Sequence, residues 1–393
     1  MKHINFIGPF NRTGYGIATC GYAYGLIKAA KNSNISVSFL PIGQIDKNDP
    51  EINRPEYQSI VNCMSVQPVW EEPTICFWHL SHLSHYLSQA KGLKMAITTF
   101  ETDKLLEPEL QGAKSTHKMI VACNSNKAVL ANHGIDSKVI PHGFGFDGVP
   151  TPIPQEDFMK KWEAELGISL TGYRVLSTVG KFEDRKGFKE MIEALFMSNQ
   201  NYMLVGFMYN PFMEHGYPIK YIIENNWEPV VTSSGIKAYK KNNVLLCMMP
   251  TLPTREQVYN VVRSSHAYIC CSKAEGWNLP LFDALSLGMP CISTTNTAMA
   301  DYARGNVVDL SSGQLEDAND GQFFLGNRGR WEKLDVKSIS RKIEEAVTKV
   351  DLTELGQKSY ANISKLNYTW SRLGKLLFDT IVDEQRTFGK ERS

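Results

Sequence analysis

Short apolar runs, each closed by a turn rich in glycine or polar residues, alternate with longer stretches whose apolar positions recur at helical spacing. In the first part of the chain, His3 to Ile7, Ser36 to Leu40, Thr74 to Trp78, Leu93 to Thr99, Lys118 to Cys123 and Ser137 to Pro141 predict buried strands. Helical patterns run from Ile17 to Ala30 and from Asn126 to His133. A second series opens at Arg174 to Val179, with a helix from about Phe188, then strands at Tyr202 to Phe207 and Val244 to Met248. Thr254 to Ser264 predicts a helix, His266 to Cys271 a strand, Leu279 to Leu287 a helix and Cys291 to Ser293 a strand. Val336 to Val350 is an amphipathic helix, and Asn367-Tyr368-Thr369-Trp370 starts a last one, Ser371 to Glu384. This rhythm predicts an α/β protein with parallel sheets covered by helices on both faces. Polar, proline-rich Gly148 to Asp157 divides the two series. Met208 to Asn243 is long and irregular, and Asp309 to Arg330 reads as a Gly-, Ser- and Asp-rich loop.

Composition narrows the class. The chain has 393 residues, 42% of them hydrophobic, enough for two or three domains with large cores. Its 42 Lys and Arg against 41 Asp and Glu give a net charge of +1, hence no global pull toward nucleic acid or anionic membrane. The eight cysteines include no C-x-x-C pair and no zinc spacing, which suits reduced thiols and a cytoplasmic enzyme. No apolar run approaches the roughly 18 residues of a membrane span, and the turn at Gly8-Pro9 comes too early for a signal peptide.

Candidate chemistry gathers at strand ends. The loop Gly8 to Gly16, with Arg12, Gly14, Tyr15 and Gly16, lets backbone approach a ligand. It is not a dinucleotide fingerprint: Thr19 stands where a third glycine belongs, and Asp46 is too far along for the acid. His79, His82 and His85 share a spacing of three, but no carboxylate or cysteine completes a metal set. His79, at a strand end, is the one placed near a ligand. After the strand ending at Val179 come Gly180, Lys181, Arg185 and Lys186, three cations before a helix N-terminus. Such charges oppose the helix dipole unless an anion offsets both. Around Cys270 to Pro290, a strand, a tight loop and a helix start make a second anion site. Glu275 and Asp283 flank it, and two acids there suit hydroxyl contacts on either side of a diphosphate.

Ser272, Glu275, Gly276, Trp277, Leu279, Pro280, Asp283, Ala284, Gly288 and Pro290 fall in the order S-x-x-E-G-aromatic-x-L-P-x-x-acid-A-x-x-x-G-x-P. This resembles the donor-site signature of retaining family 4 glycosyltransferases of the GT-B fold. The resemblance implies two doubly wound parallel-sheet, Rossmann-like domains facing across a cleft. Residues 1–150 would be the acceptor-side domain, 151–165 the linker, 166–362 the nucleotide-sugar domain, and 363–393 a helix crossing back with Trp370 at the crossing. It implies that Lys181 and Lys186 grip the diphosphate of a nucleotide sugar. Lys181 replaces the family's usual Arg and loses bidentate geometry, for which Arg185 compensates. Glu275 would bind sugar hydroxyls with the N–H groups of Gly276, Trp277 and Asn278, beside Leu279. Asp283, one methylene shorter than the usual Glu, would bind the ribose. The loop with Gly14 and Gly16 would face donor and acceptor, and Arg12, Tyr15 and His79 are acceptor-side candidates. Glu101 stands where many members carry a histidine and is the candidate for holding an acceptor or sugar hydroxyl. The expected reaction needs no cofactor and no metal: a nucleotide diphosphate sugar, UDP favoured over GDP, is the co-substrate. A diphosphate oxygen would take the acceptor proton.

Two other readings stay open. The acceptor is a hydroxymethylated base in DNA, as in bacteriophage genome modification, with Arg12, Lys220, Lys237, Lys240 and Lys241 forming a basic groove. Alternatively the chain is a catalytically silent GT-B protein that binds a nucleotide or a partner. Oligomeric state is not legible.

Overall fold

The computed structural model describes residues 1–148 and 157–392, which separate into two compact units, Met1–Pro150 with Leu366–Ser393, and Thr151–Lys365. In unit 1 the chain runs β1 (His3–Pro9), α1 (Gly14–Asn32), β2 (Ser36–Ile42), α2 (Pro55–Met64), β3 (Thr74–Phe77), α3 (Leu83–Tyr86), β4 (Lys94–Thr98), α4 (Glu107–Lys114), β5 (Lys118–Val121), α5 (Asn124–Ala131) and β6 (Ser137–Val139). The six strands form one parallel sheet in the order β2-β1-β3-β4-β5-β6. Phe6, Ile75, Ile97 and Ile120 are wholly buried, as expected for parallel strands covered on both faces.

Unit 2 continues with α6 (Phe158–Leu166), β7 (Tyr173–Val179), α7 (Phe188–Phe196), β8 (Asn201–Phe207), α8 (Ile219–Glu224), β9 (Glu228–Val230), β10 (Lys237–Lys241), β11 (Val244–Met248), α9 (Arg255–Arg263), β12 (Ala267–Cys270), α10 (Leu279–Ser286), β13 (Cys291–Ser293), β14 (Val308–Asp309), β15 (Leu315–Asn319), β16 (Leu325–Glu332), α11 (Val336–Lys349) and α12 (Leu352–Leu366). Its main sheet is ordered β14-β13-β12-β7-β8-β11-β10-β9, parallel except for the antiparallel edge β10-β9. Alternate residues of one strand serve opposite cores: Leu204 and Leu246 pack with Ile192 and Ile339, while Met203 and Leu245 pack with Trp162 and Leu166. These are the doubly wound sheets of the GT-B fold.

The last helix, α13 (Trp370–Arg392), belongs to unit 1 and packs on α1. A Cβ on Gly21 would stand 2.1 Å from the Trp370 ring, and one on Gly25 2.1 Å from the Trp370 carbonyl oxygen. Bare glycine backbone therefore sets this crossing.

Several expectations change. Of the linker expected at 151–165, residues 149–156 lie outside the described residues. The rest is helix α6, whose buried Trp162 donates to the Ser264 carbonyl at 2.6 Å. The segment 208–243 holds α8, β9 and β10 and widens the sheet. The loop expected at 309–330 is largely the hairpin β15–β16, with Ala318 and Trp331 packed on Ala274. Helices α2, α4 and α12 fall in stretches where no helix is expected.

Candidate active site

The first functional loop of unit 2 follows β7 and the second follows β12, and these strands are parallel neighbours. Both loops therefore leave the same sheet edge side by side. Gly187 closes the first loop with φ at +63°, and a Cβ there would stand 2.2 Å from the Cys271 carbonyl oxygen. Only glycine lets the start of α7 approach the end of β12 so closely. Asn278 closes the second loop. It sits in the left-handed region at φ +71°, its side-chain oxygen accepts from the Leu281 N–H, and Pro280 occupies the first turn of α10.

The two loops meet in a chain of charges. Lys186 Nζ donates to Glu275 Oε1 at 2.6 Å, and Arg185 donates to Glu275 Oε2 at 3.0 Å. Arg185 also donates to the Ala274 carbonyl at 2.8 Å and to Glu183 at 2.7 Å, and Lys181 pairs with Glu183 at 3.1 Å. Glu275 is only 5% exposed. Burial pushes its carboxyl up, but the charges of Lys186 and Arg185 outweigh burial and hold it at about 2. Gly180 leaves room beside β7, with the Lys186 stem 3.6 Å from where a Cβ would be.

Asp283 lies on α10, buried. Arg255 donates to its Oδ2 at 2.6 Å and Tyr259 at 3.1 Å. Its Oδ1 is buried with no hydrogen-bond partner. Burial outweighs Arg255 and Tyr259 and carries this carboxyl above the usual range. A buried acceptor without a donor marks a place where a ligand hydroxyl fits.

The structure thus brings Lys181, Arg185, Lys186 and Glu275 together. Arg185 departs from expectation, and neighbouring side chains of the second loop have partners within the protein. Arg185, expected to hold diphosphate, is buried and turned onto Glu275, Glu183 and the Ala274 carbonyl. The Trp277 ring packs inward on Phe282 and Tyr302, at 5.3 and 4.9 Å, and Leu279 is buried beside it. The Asn278 side chain serves the helix start and the sulfurs of Cys270 and Met299. The Gly276–Asn278 segment is left to act through its backbone. Glu183, Arg255, Tyr259 and Lys273 were missed. Glu183 sits between the cations in the sequence, and Arg255 and Tyr259, four residues apart behind the Thr254–Gln257 capping box, share one helix face. Buried Lys273 pairs with Asp184 at 3.2 Å, Glu190 at 2.7 Å and Glu316 at 3.7 Å, and ties the hairpin to the residue before Ala274.

The acceptor-side candidates form their own group in unit 1. Tyr15 donates to the Thr99 carbonyl at 2.7 Å and its ring lies 4.4 Å from that of His79. Burial raises its phenol to about 12, and the nearby Glu101 charge adds to this. Gly16 is pressed on Asn11, with 2.2 Å from a Cβ to the Asn11 carbonyl oxygen, whereas Gly14 faces open space. Arg12 pairs with Asp49 and so is tied down on the protein itself. Lys220 pairs with Glu224, and Lys241 donates to the Asn225 carbonyl, so these cations of the supposed basic groove also have internal partners. Among the described residues no group of three or more His, Cys, Asp or Glu is arranged to hold a metal ion, and no helix is long and apolar enough to cross a membrane.

Comparison with known proteins bears on the family and the fold. Residues 160–323 match the family model of glycosyl transferases group 1. A protein of Sulfolobus islandicus filamentous virus (isolate Iceland/Hveragerdi), "Putative glycosyltransferase 48", is 33% identical over 73 residues, 19% of this chain; that stretch spans 23% of the relative's length. The fold resembles HepE of Anabaena, solved in complex with UDP and glucose, with TM-score 0.60 and 13% identity over 98% of this chain and 100% of that one. It also resembles the sucrose-phosphate synthase of Thermosynechococcus elongatus, with TM-score 0.64 and 14% identity over 98% and 100%. A third is the UDP-forming α,α-trehalose-phosphate synthase of Burkholderia vietnamiensis, with TM-score 0.60 and 10% identity over 98% of both chains.

Proposed function

We propose, from the premise that residues 160–323 form a glycosyl transferases group 1 domain, that this chain moves a sugar from a nucleotide diphosphate sugar to an acceptor hydroxyl with retained configuration. The observation that carries the reading is the 2.6 Å contact of Lys186 with Glu275 between two neighbouring strand ends. One nucleotide sugar needs a cation for its diphosphate and a carboxylate for its sugar hydroxyls a few ångströms apart. In the free protein the two groups neutralise each other. Donor binding exchanges that contact: the diphosphate takes Lys186 and Lys181, and sugar hydroxyls donate to Glu275. Arg185 stays beneath and keeps the carboxylate ionised. Asp283 Oδ1 accepts from a ribose hydroxyl, which removes the cost of an unsatisfied buried acceptor, about 1–3 kcal/mol.

The bond from the sugar's anomeric carbon to the diphosphate oxygen breaks, and the acceptor oxygen bonds to that carbon from the same face. Charge grows on the departing oxygen. Preorganised cations and N–H groups there lower the barrier most. The acceptor proton passes to a diphosphate oxygen, and no metal is assigned a role. UDP is favoured as the nucleotide, a choice supported by the UDP named for the HepE structure.

A thermal-shift panel of UDP-glucose, GDP-glucose and ADP-glucose tests the reading. Ligand at a hundred times its Kd stabilises by about 2.7 kcal/mol, a shift of a few degrees. A rise with one nucleotide sugar, followed by release of that donor's nucleoside diphosphate in the presence of acceptor, supports transfer. A rise without turnover leaves a nucleotide-binding protein. No rise with any of the three sinks the proposal.

A further inference from the structure

We propose that Phe212 and Phe323 form an acceptor subsite that takes the apolar face of a sugar ring. The inference rests on the donor reading above and extends it to the second substrate. Phe212 is 60% exposed and Phe323 45% exposed, yet their rings touch, with centroids 5.4 Å apart at an interplanar angle of 68°. They come from two segments distant in the chain: the stretch after β8 and the turn between β15 and β16. Lys181 Nζ lies 5.4 Å from the Phe212 centroid. Lys181 also begins the ion-pair chain that runs through Glu183 and Arg185 to Glu275. The aromatic pair therefore stands at the outer end of the donor cluster.

Its base is firmly built. The hairpin is anchored by Lys273, which lies over the Trp331 ring at 5.2 Å, and the Glu332 N–H donates to the Lys273 carbonyl at 2.9 Å. An anchored hairpin whose turn sets Phe323 against the Phe212 ring, both exposed to water, keeps apolar surface for a ligand. The electron-rich faces of such rings attract the C–H face of a pyranose, and Glu183, released when Lys181 turns to the diphosphate, offers a partner for its hydroxyl rim. Charge argues against a nucleic acid strand. Three cations and two carboxylates of the cluster leave one net positive charge, too little for a phosphate backbone.

The test compares wild type with Phe212→Ala, Phe323→Ala, the double variant and Phe212→Trp. Binding of methyl α-D-glucopyranoside, methyl β-D-galactopyranoside and cellobiose is followed by saturation-transfer NMR. UDP affinity and UDP release from UDP-glucose into water are measured alongside, and a dT12 oligonucleotide is run as a parallel arm. We expect ring C–H protons of at least one sugar to saturate in wild type. Its Kd rises about tenfold in the double variant and stays near the wild-type value in Phe212→Trp, with UDP affinity and thermal midpoint unchanged. The proposal is overturned if no sugar binds wild type, or if the double variant binds sugars equally well. It is also overturned if UDP affinity falls together with sugar affinity, which would make the patch part of the donor site. Salt-sensitive dT12 binding that the double variant loses would make it a nucleic acid surface and overturn it too. Failure of wild type to bind UDP at all would instead sink the donor reading, and the two failures are separate measurements.

Discussion

Replacing Lys186 by Ala strips Glu275 of its nearest cation. The Glu275 carboxyl is 5% exposed and titrates at about 2 against an ordinary 4.5. That gap corresponds to about 3 kcal/mol in favour of the ionised form in the folded state. Arg185 remains in the variant and retains part of it, so the expected loss is about 2–3 kcal/mol at pH 7. The sign of the pH dependence follows. A carboxyl held below its usual range stabilises the fold above pH 4.5 and loses that contribution as pH falls toward about 2. The variant's carboxyl titrates higher and has less to lose. The gap between wild type and variant therefore narrows, by about 1 kcal/mol between pH 7 and pH 3.5. Urea unfolding read through fluorine-labelled Trp277 and Trp331 reports on unit 2 alone. Lys181→Ala is the control: its partner contact is half-exposed and worth under about 1 kcal/mol. Turnover is the second readout, with a fall on the order of 100-fold expected for Lys186→Ala. A variant equally destabilised at both pH values refutes the electrostatic account. Near-normal transfer refutes the donor role.

Asp283→Asn separates binding from stability. The wild-type carboxyl is held above its usual range, so its stabilising contribution declines as pH rises from 3.8 through the folded value, and the ionised form costs stability at pH 7. The variant should keep or raise its thermal midpoint while UDP affinity falls about tenfold; a large loss of midpoint contradicts the burial argument. Gly187→Ala meets both a positive φ and a 2.2 Å approach to the Cys271 carbonyl oxygen. We expect about 2–4 kcal/mol of destabilisation by urea unfolding, and a variant as stable as wild type would show that the loop relaxes freely.

The sheets were legible because parallel strands covered on both faces become continuous apolar runs, as at Met203 to Val205 and Leu245 to Met248. The misses share a cause, which is structure held without an apolar stripe. Helix α12 buries only Gly356, Ser359 and Ile363, and a Cβ on Gly356 would lie 2.5 Å from the Gly288 carbonyl oxygen, so backbone proximity fixes it. The β15–β16 hairpin has charged, exposed strands, and only Ala318, Trp331 and Glu332 on them are buried. Strand β10, Lys-Ala-Tyr-Lys-Lys, lies one place in from the edge strand β9, and its three lysines make it read as polar loop.

The same division runs through the site. The motif spacing specified that Lys186 and Glu275 belong to strand ends, and adjacency of β7 and β12 then sufficed to bring them together. Spacing said nothing of how each polar atom would be satisfied, because that depends on partners remote in sequence. Arg185 turns from an expected anion ligand into the inner partner of Glu275, 90 residues away. Arg255 and Tyr259 occupy one oxygen of Asp283 from 28 and 24 residues away. That occupancy bears on the substitution of Asp for the family's Glu. A shorter carboxylate pinned by an arginine presents a single oxygen, Oδ1, where a longer free one would present two. Under the proposed function, donor recognition at this position reduces to one hydroxyl contact, and affinity for the nucleotide shifts onto the charge cluster around Lys186.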